Sequence, residues 1–157
     1  MTQVRSSFAI PVPPEAAFGF VAEPKNFTVM WPAMAAVYGE QPSPAGGLDW
    51  RWEYRMLGIK LQGVTRVLVY EHAARISMLS EGSGLRVAHT WQFARVAAGT
   101  QLDLSMEFTL PAQWLTGVME PLLVRENRQQ AAIAMRNLRN ALAAPEPARD
   151  DPWRRGR

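Results

Sequence analysis

The sequence contains no cysteine and only two histidines, His72 and His89. The absence of cysteine excludes disulfide bonds, thiolate metal sites and cysteine nucleophiles. Two histidines without a supporting carboxylate cluster do not favour zinc binding, so we expect no metal. Gly-x-Ser-x-Gly, phosphate-loop and dinucleotide-binding motifs are also missing, and we therefore expect no cofactor.

Long apolar runs are missing as well. No run approaches the roughly 18 residues of a membrane-spanning helix, and the first six residues lack the apolar stretch of a signal peptide. We therefore expect a cytoplasmic protein with no integral membrane insertion.

Neither positive nor negative charge predominates in the sequence. Seventeen Lys and Arg residues face 14 Asp and Glu residues, a net charge of +3, and the basic residues are spread along the chain. Domains that bind nucleic acid carry clustered basic charge, so the composition predicts no nucleic-acid partner.

The chain does contain enough apolar material for one folded domain. Hydrophobic residues make up 48% of its 157 residues, and a domain of this size buries roughly 68–70% of its unfolded surface. We expect a single domain over residues 1–144. Residues 145–157, rich in proline and charge, are expected to form a disordered tail.

Seven segments are predicted to be strands. Apolar and polar residues alternate clearly in several of them, the pattern of half-buried strands, whereas residues 60–70 have apolar side chains on both sides and no defined facing. These segments are residues 3–10, 37–41, 48–56, 60–70, 75–80, 85–93 and 101–109. Short turns between most of them predict antiparallel neighbours. Proline at the first helical position and apolar clusters predict two short helices, from Pro14 and over residues 26–31.

After Pro111 the apolar period changes to about 3.6 residues, which predicts one long amphipathic helix. Pro121 either kinks this helix or marks its beginning. The predicted apolar stripe is Leu115, Met119, Leu122, Leu123, Ala131, Met135, Leu138 and Leu142.

The order of elements predicts an α+β fold. A curved antiparallel sheet of six to seven strands wraps around the long C-terminal α-helix, and two short helices lie between strands 1 and 2. A strongly twisted sheet around one helix can leave a cavity between the two.

Several local features make the chain similar to a known family. They are residues 6–18, residues 26–32 after Glu23-Pro24, residues 63–67, Trp91-Gln92-Phe93, residues 99–102, Leu110-Pro111 and Glu120-Pro121-Leu122. With them the chain resembles the START-like (SRPBCC) superfamily of helix-grip domains, in particular the polyketide cyclase/dehydrase-like family, over about residues 2–143. The resemblance implies a pocket between sheet and helix for a lipid, polyketide, sterol or other apolar molecule.

The inferred inner face of the sheet is rich in aromatic and thioether side chains, which suit a hydrophobic ligand, although any one of them could equally be core filler. Met56 is expected near these inward-facing side chains. The predicted ligand-binding residues are Trp50, Trp52, Tyr54, His89, Trp91, Met106, Phe108, Met119 and Leu123.

His89 is the most informative of these residues, because it shares the inner face with Val87, Trp91 and Phe93. A buried polar group costs about 1–3 kcal/mol unless it is hydrogen-bonded. His89 could orient a ligand oxygen or act as a general base. The alternative is a core histidine bonded to a neighbouring Tyr or Ser, for example Tyr54 or Ser6.

The remaining polar candidates are weaker. His72 is expected in a solvated turn. Glu126, Asn127 and Gln130 lie on the final helix where it passes the pocket; they could donate or accept a hydrogen bond with a ligand, but solvation at the surface is favoured. Glu53, Asp103 and Glu107 fall on outward faces, which gives no support to a paired-carboxylate site.

Three functions remain open. We favour a non-catalytic carrier of an apolar small molecule, such as a lipid, polyketide, aromatic or isoprenoid-like compound. The second is a polyketide cyclase, aromatase or dehydratase in which His89 is the acid or base. The third is a protein-interaction module assisted by Trp153 and the basic tail. A homodimer through Val64, Leu68 and Tyr70 is a further expectation.

Overall fold

The computed structural model describes residues 2–114, 117 and 119–143. The tail, with Trp153, and Leu115 of the predicted apolar stripe lie outside the described residues. None of the helices in the described part of the chain is long and apolar enough to cross a membrane.

Seven antiparallel strands form one sheet in the order β1-β7-β6-β5-β4-β3-β2. The strands are β1 (Thr2–Ile10), β2 (Met34–Pro42), β3 (Leu48–Met56), β4 (Ile59–Glu71), β5 (Arg75–Gly82), β6 (Leu85–Val96) and β7 (Gly99–Thr109). Each strand from β2 to β7 pairs with its neighbour in the chain, as the short turns predicted. The first strand then pairs with the last, which brings the N-terminal segment beside β7.

Three α-helices accompany the sheet: α1 (Pro14–Ala22), α2 (Phe27–Met30) and α3 (Met119–Ala143). A 3-10 turn at Pro24–Asn26 joins α1 to α2, and another at Ala112–Trp114 follows β7. Pro121 stands in the first turn of α3, where its missing N–H has no intrahelical partner to lose. The long helix begins at Met119, two residues before this proline, which is close to the predicted alternative of a helix that starts at Pro121.

The core lies between the sheet and the helices. The buried side of α3 consists of Leu123, Ala131, Ala134, Met135 and Leu138, and the helix contacts β1 and α2. Asn137 Nδ2 donates a hydrogen bond to the Met30 carbonyl oxygen at 3.0 Å, which ties α3 to α2. One member of the predicted stripe is wrong: Leu122 is exposed, because it lies on the solvent side of the first turn.

The surface expected to support a dimer is less apolar than the alternation predicted. Leu68 is exposed, but Val64 and Tyr70 are half-buried. The register of β4 against β5 shifts between Val67 and Val69, and beyond this bulge Tyr70 packs edge-on against Phe18, with ring centroids 5.1 Å apart. A bulge of one residue reverses the facing of every later side chain.

Candidate functional site

A cavity of about 90 Å³ lies among β3, β5, β6, β7, α2 and α3. An engineered apolar cavity of about 150 Å³ accommodates benzene, and ligand pockets usually measure about 300–1,000 Å³. The cavity as it stands therefore accommodates only a small group, and a larger ligand requires its walls to move. Its lining residues are Phe27, Trp31, Met34, Trp50, Trp52, Tyr54, Met56, Ser80, Leu85, Val87, His89, Met106 and Asn127.

The lining is apolar and carries no formal charge. None of the lining residues named above is Asp, Glu, Lys or Arg. Three are methionines, whose unbranched side chains change rotamer at low cost and fill irregular gaps. Such walls suit an uncharged ligand and allow the cavity to widen around it.

His89 stands on β6 with its ring held in one tautomer. The indole Nε1–H of Trp91 donates to His89 Nδ1 at 3.0 Å. Because an indole nitrogen can only donate, Nδ1 must be unprotonated, and the proton of the neutral ring must sit on Nε2. Trp91 itself is fully buried, so this hydrogen bond does not compete with water.

The Nε2–H group of His89 is only loosely engaged. Its partner is Ser80 Oγ, 3.4 Å away, beyond the usual range of about 2.7–3.2 Å. Ser80 Oγ is in turn hydrogen-bonded to Thr65 Oγ1 at 2.6 Å, and either hydroxyl can be the donor. Both His89 and Ser80 line the cavity, so a ligand oxygen placed there would find an N–H donor without a strong competing partner.

Burial keeps the His89 ring neutral. It lowers the pKa of His89 from 6.5 to about 4, because the imidazolium form would lose its hydration without gaining a counter-ion. At neutral pH the ring therefore presents a hydrogen-bond donor to the cavity. Its other nitrogen is occupied by Trp91, so the ring is poorly arranged to act as a base.

Trp52 also lines the cavity, and its indole carries a second N–H group. The residue is buried, and its Nε1 has no hydrogen-bond partner among the described residues. Its indole ring lies against Gly63, its partner on β4, where an added Cβ would collide with the ring. A buried donor without a partner costs about 1–3 kcal/mol, and a ligand acceptor would remove that cost.

Tyr54 and Asn127 contribute the remaining polar groups of the wall. Burial raises the pKa of Tyr54, and the negative charge of Glu126 raises it further, so the phenol stays protonated. Asn127 Nδ2 donates to the Leu123 carbonyl oxygen at 2.9 Å. Of the two alternatives for Asn127, the structure favours the pocket position over solvation: this half-buried residue lines the cavity, because α3 passes over it there.

Two neighbouring residues of α3 are also less exposed than expected. Glu126 and Gln130 are half-buried, and Gln130 Nε2 donates to Glu126 Oε1 at 3.3 Å. His72 is exposed in the β4–β5 turn, as expected, with its ring beside Phe18.

The structure brings five of the nine predicted ligand-binding residues to the cavity wall: Trp50, Trp52, Tyr54, His89 and Met106. Trp91 does not line the cavity; its indole N–H donates to His89 Nδ1. Phe108 and Leu123 are buried in the core, and Met119 is half-buried; none of these three lines the cavity. His89 does contact a neighbouring serine, as the alternative expected, but this serine is Ser80 and neither Ser6 nor Tyr54 is a partner. The stronger partner, Trp91, was not expected.

Sequence reasoning missed the wall contributed by the segment from α2 to the start of β2. Phe27, Trp31 and Met34 line the cavity from this segment, and the Phe27 and Trp50 rings pack at a tilt, 4.8 Å between centroids. The apolar residues of 27–34 were a usable signal. No group of three or more potential metal-ligating side chains occurs in the part of the chain that the structure describes.

Comparison with known proteins gives a consistent result. A family model described as polyketide cyclase / dehydrase and lipid transport matches residues 1–143. No curated protein matches the chain.

Three solved structures show how widely the fold is shared. The protein TTHA0849 from Thermus thermophilus is 18% identical with a TM-score of 0.77, over 93% of this chain and 100% of that one. A START superfamily protein from Mycobacterium smegmatis is 16% identical with a TM-score of 0.69, over 90% and 99%. The Zhui aromatase/cyclase from Streptomyces is 17% identical with a TM-score of 0.68, over 90% and 96%. At these identities the comparisons establish the fold, and they confirm the predicted helix-grip architecture.

Proposed function

The chain belongs to the polyketide cyclase / dehydrase and lipid transport family, and we propose that it binds an uncharged hydrophobic small molecule in the cavity between sheet and α3. Removal of apolar ligand surface from water would drive binding, at roughly 25 cal/mol per Å² before ordering costs. The uncharged lining supports a neutral ligand, since a buried ion would need a partner that this wall lacks.

The single observation that carries the proposal is the pair of available N–H donors in an apolar wall. His89 Nε2–H has one long contact, and Trp52 Nε1–H has no partner among the described residues. Donors in an apolar pocket select ligands with an acceptor oxygen, because any other ligand leaves them unpaired. The ligand class is therefore a hydrophobic molecule with a carbonyl, ether or similar oxygen.

A cyclase, aromatase or dehydratase activity is the second candidate, supported by the family description and by the donor geometry. A neutral His89 would polarise a substrate carbonyl through Nε2–H and stabilise the enolate oxygen that forms. Proton abstraction would have to come from another group, because Nδ1 already accepts the Trp91 hydrogen bond.

Native mass spectrometry of protein purified from its producing cells tests the binding proposal. We expect an adduct of a hydrophobic, oxygen-containing molecule in the wild-type protein. Val87→Phe, which enlarges a wall residue into the cavity, should remove the adduct. Leu68→Phe, on an exposed strand position, is the matched control and should retain it. A wild-type protein that carries no adduct and takes up no neutral aromatic probe would contradict the proposal.

A further inference from the structure

The end of the β3–β4 hairpin combines features that do not favour folding. Met56 pairs with Ile59, so Leu57 and Gly58 alone form the turn. Both have positive φ angles, 49° and 78°. Two-residue turns of this kind normally carry Asn-Gly or Asp-Gly, because only a few residues tolerate the left-handed conformation.

Leucine at this position gains only part of the burial that a core leucine gains. Leu57 is 43% exposed, and Ile59 is 44% exposed. A leucine in the left-handed region is disfavoured locally, and Leu57 is not among the residues that form the core. Strained backbone that the fold itself does not require points to a function at that position.

The charges beside the turn show a second conflict. Arg55 and Lys60 are directly opposite each other on the two strands, and like charges in that arrangement are unfavourable. Lys60 Nζ reaches Glu53 Oε1 at 2.8 Å, but Arg55 forms no ion pair among the described residues. Two exposed apolar side chains are thus flanked by two exposed cations.

We propose that the hairpin tip, residues 55–60, docks the protein on an anionic lipid surface. Apolar side chains that enter the headgroup region while adjacent cations contact anionic lipids are a general mode of interfacial binding. In this setting Leu57 and Ile59 gain burial, Arg55 gains a counter-charge, and Lys60, already paired with Glu53, gains a second one. Met56, within the tip, also lines the cavity, so the docked protein would hold the cavity wall next to the lipid. The inference does not depend on which molecule the cavity binds.

Co-sedimentation of the full chain with vesicles tests the proposal. We expect the wild-type protein to sediment with vesicles of phosphatidylcholine mixed with phosphatidylglycerol, and less with pure phosphatidylcholine, with added salt weakening the binding. Leu57→Asn should weaken binding to the mixed vesicles by about tenfold or more, the factor expected when one leucine no longer transfers from water. Arg55→Gln should weaken binding to the mixed vesicles selectively.

Leu57→Asn is not expected to destabilise the fold. Asparagine accepts the left-handed conformation better than leucine, so its melting temperature should equal or exceed that of the wild type. Leu68→Asn is the matched control: Leu68 is 54% exposed and lies nine residues beyond Ile59 on the same strand, and its loss should leave vesicle binding unchanged.

Wild-type protein that stays in the supernatant with both vesicle types would overturn the proposal and leave a protein partner as the occupant of the tip. Equal vesicle binding by the wild type and Leu57→Asn would overturn it as well. Either result would leave the ligand adduct expected for the cavity unaffected, so this proposal and the proposed function fail separately.

Discussion

Acidification should destabilise the protein through His89. Burial lowers the pKa of His89 from 6.5 to about 4, so between these values the unfolded chain holds a proton that the folded protein does not. The stability is therefore fully present above about pH 6.5 and is lost as the pH falls toward 4. At about 1.36 kcal/mol per pKa unit, the expected loss by about pH 4 is roughly 3 kcal/mol.

The assay is urea denaturation at a series of pH values from about 7 to about 4, for the wild type and His89→Asn. Asparagine does not titrate, and its side-chain oxygen can accept the Trp91 N–H in place of Nδ1. Lowered pKa values of other groups affect both proteins equally: Glu15, through a backbone hydrogen bond, and Glu53, through its hydrogen bond with Lys60. The difference in unfolding free energy between the two proteins isolates His89.

We expect this difference to shift by about 3 kcal/mol in favour of the variant as the pH falls to about 4. Parallel curves for the two proteins would refute the reasoning, because they would mean that the folded protein accepts the proton on His89 as readily as the unfolded chain does. In that case burial would not keep the His89 ring neutral, and His89 could not be assigned as a fixed Nε2–H donor.

Three further predictions concern packing and hydrogen bonding. Gly63→Ala should lower the free energy of unfolding by more than about 2 kcal/mol, because the new Cβ meets the Glu81 carbonyl and the Trp52 indole. Gly19→Ala has open space around the new Cβ and should raise the free energy of unfolding by about 0.5–1 kcal/mol in the same denaturation assay. Asn137→Ala should cost about 1 kcal/mol by removing the hydrogen bond between α3 and α2, and an unchanged denaturation midpoint would contradict that role. Trp91→Phe removes the donor that fixes the tautomer, so nitrogen NMR of His89 should show a single Nε2–H form in the wild type and a mixture in the variant; a mixture in both would refute the assignment.

The alternation of side chains was sufficient to predict the sheet. Residues 48–56 and 101–109 alternate without interruption, and both form strands with the predicted inner residues facing the core. The same pattern placed Trp50, Trp52 and His89 on the cavity side. These predictions succeeded because burial on one face of a strand imposes a period of two.

Features set by tertiary contacts could not be predicted in this way. The bulge in β4 turns Tyr70 toward Phe18, and no local pattern signals it. Trp31, in the connection after α2, and Met34, the first residue of β2, reach the cavity where no alternating pattern gives information about facing. The hydrogen bond from Trp91 to His89 joins two residues on one strand face, but the donor and acceptor assignment depends on ring orientations that only the folded chain defines.

The most direct test of the central claim compares the affinities of acetophenone and α-methylstyrene, two molecules of nearly the same shape that differ in a carbonyl oxygen and a methylene group. Each is titrated into the protein and followed by NMR at the Trp52 and His89 N–H groups. We expect acetophenone to bind about five- to tenfold more tightly, the value of roughly one net hydrogen bond, and to shift both N–H signals. Equal affinities, with both signals unmoved, would contradict the claim that the cavity selects an acceptor oxygen.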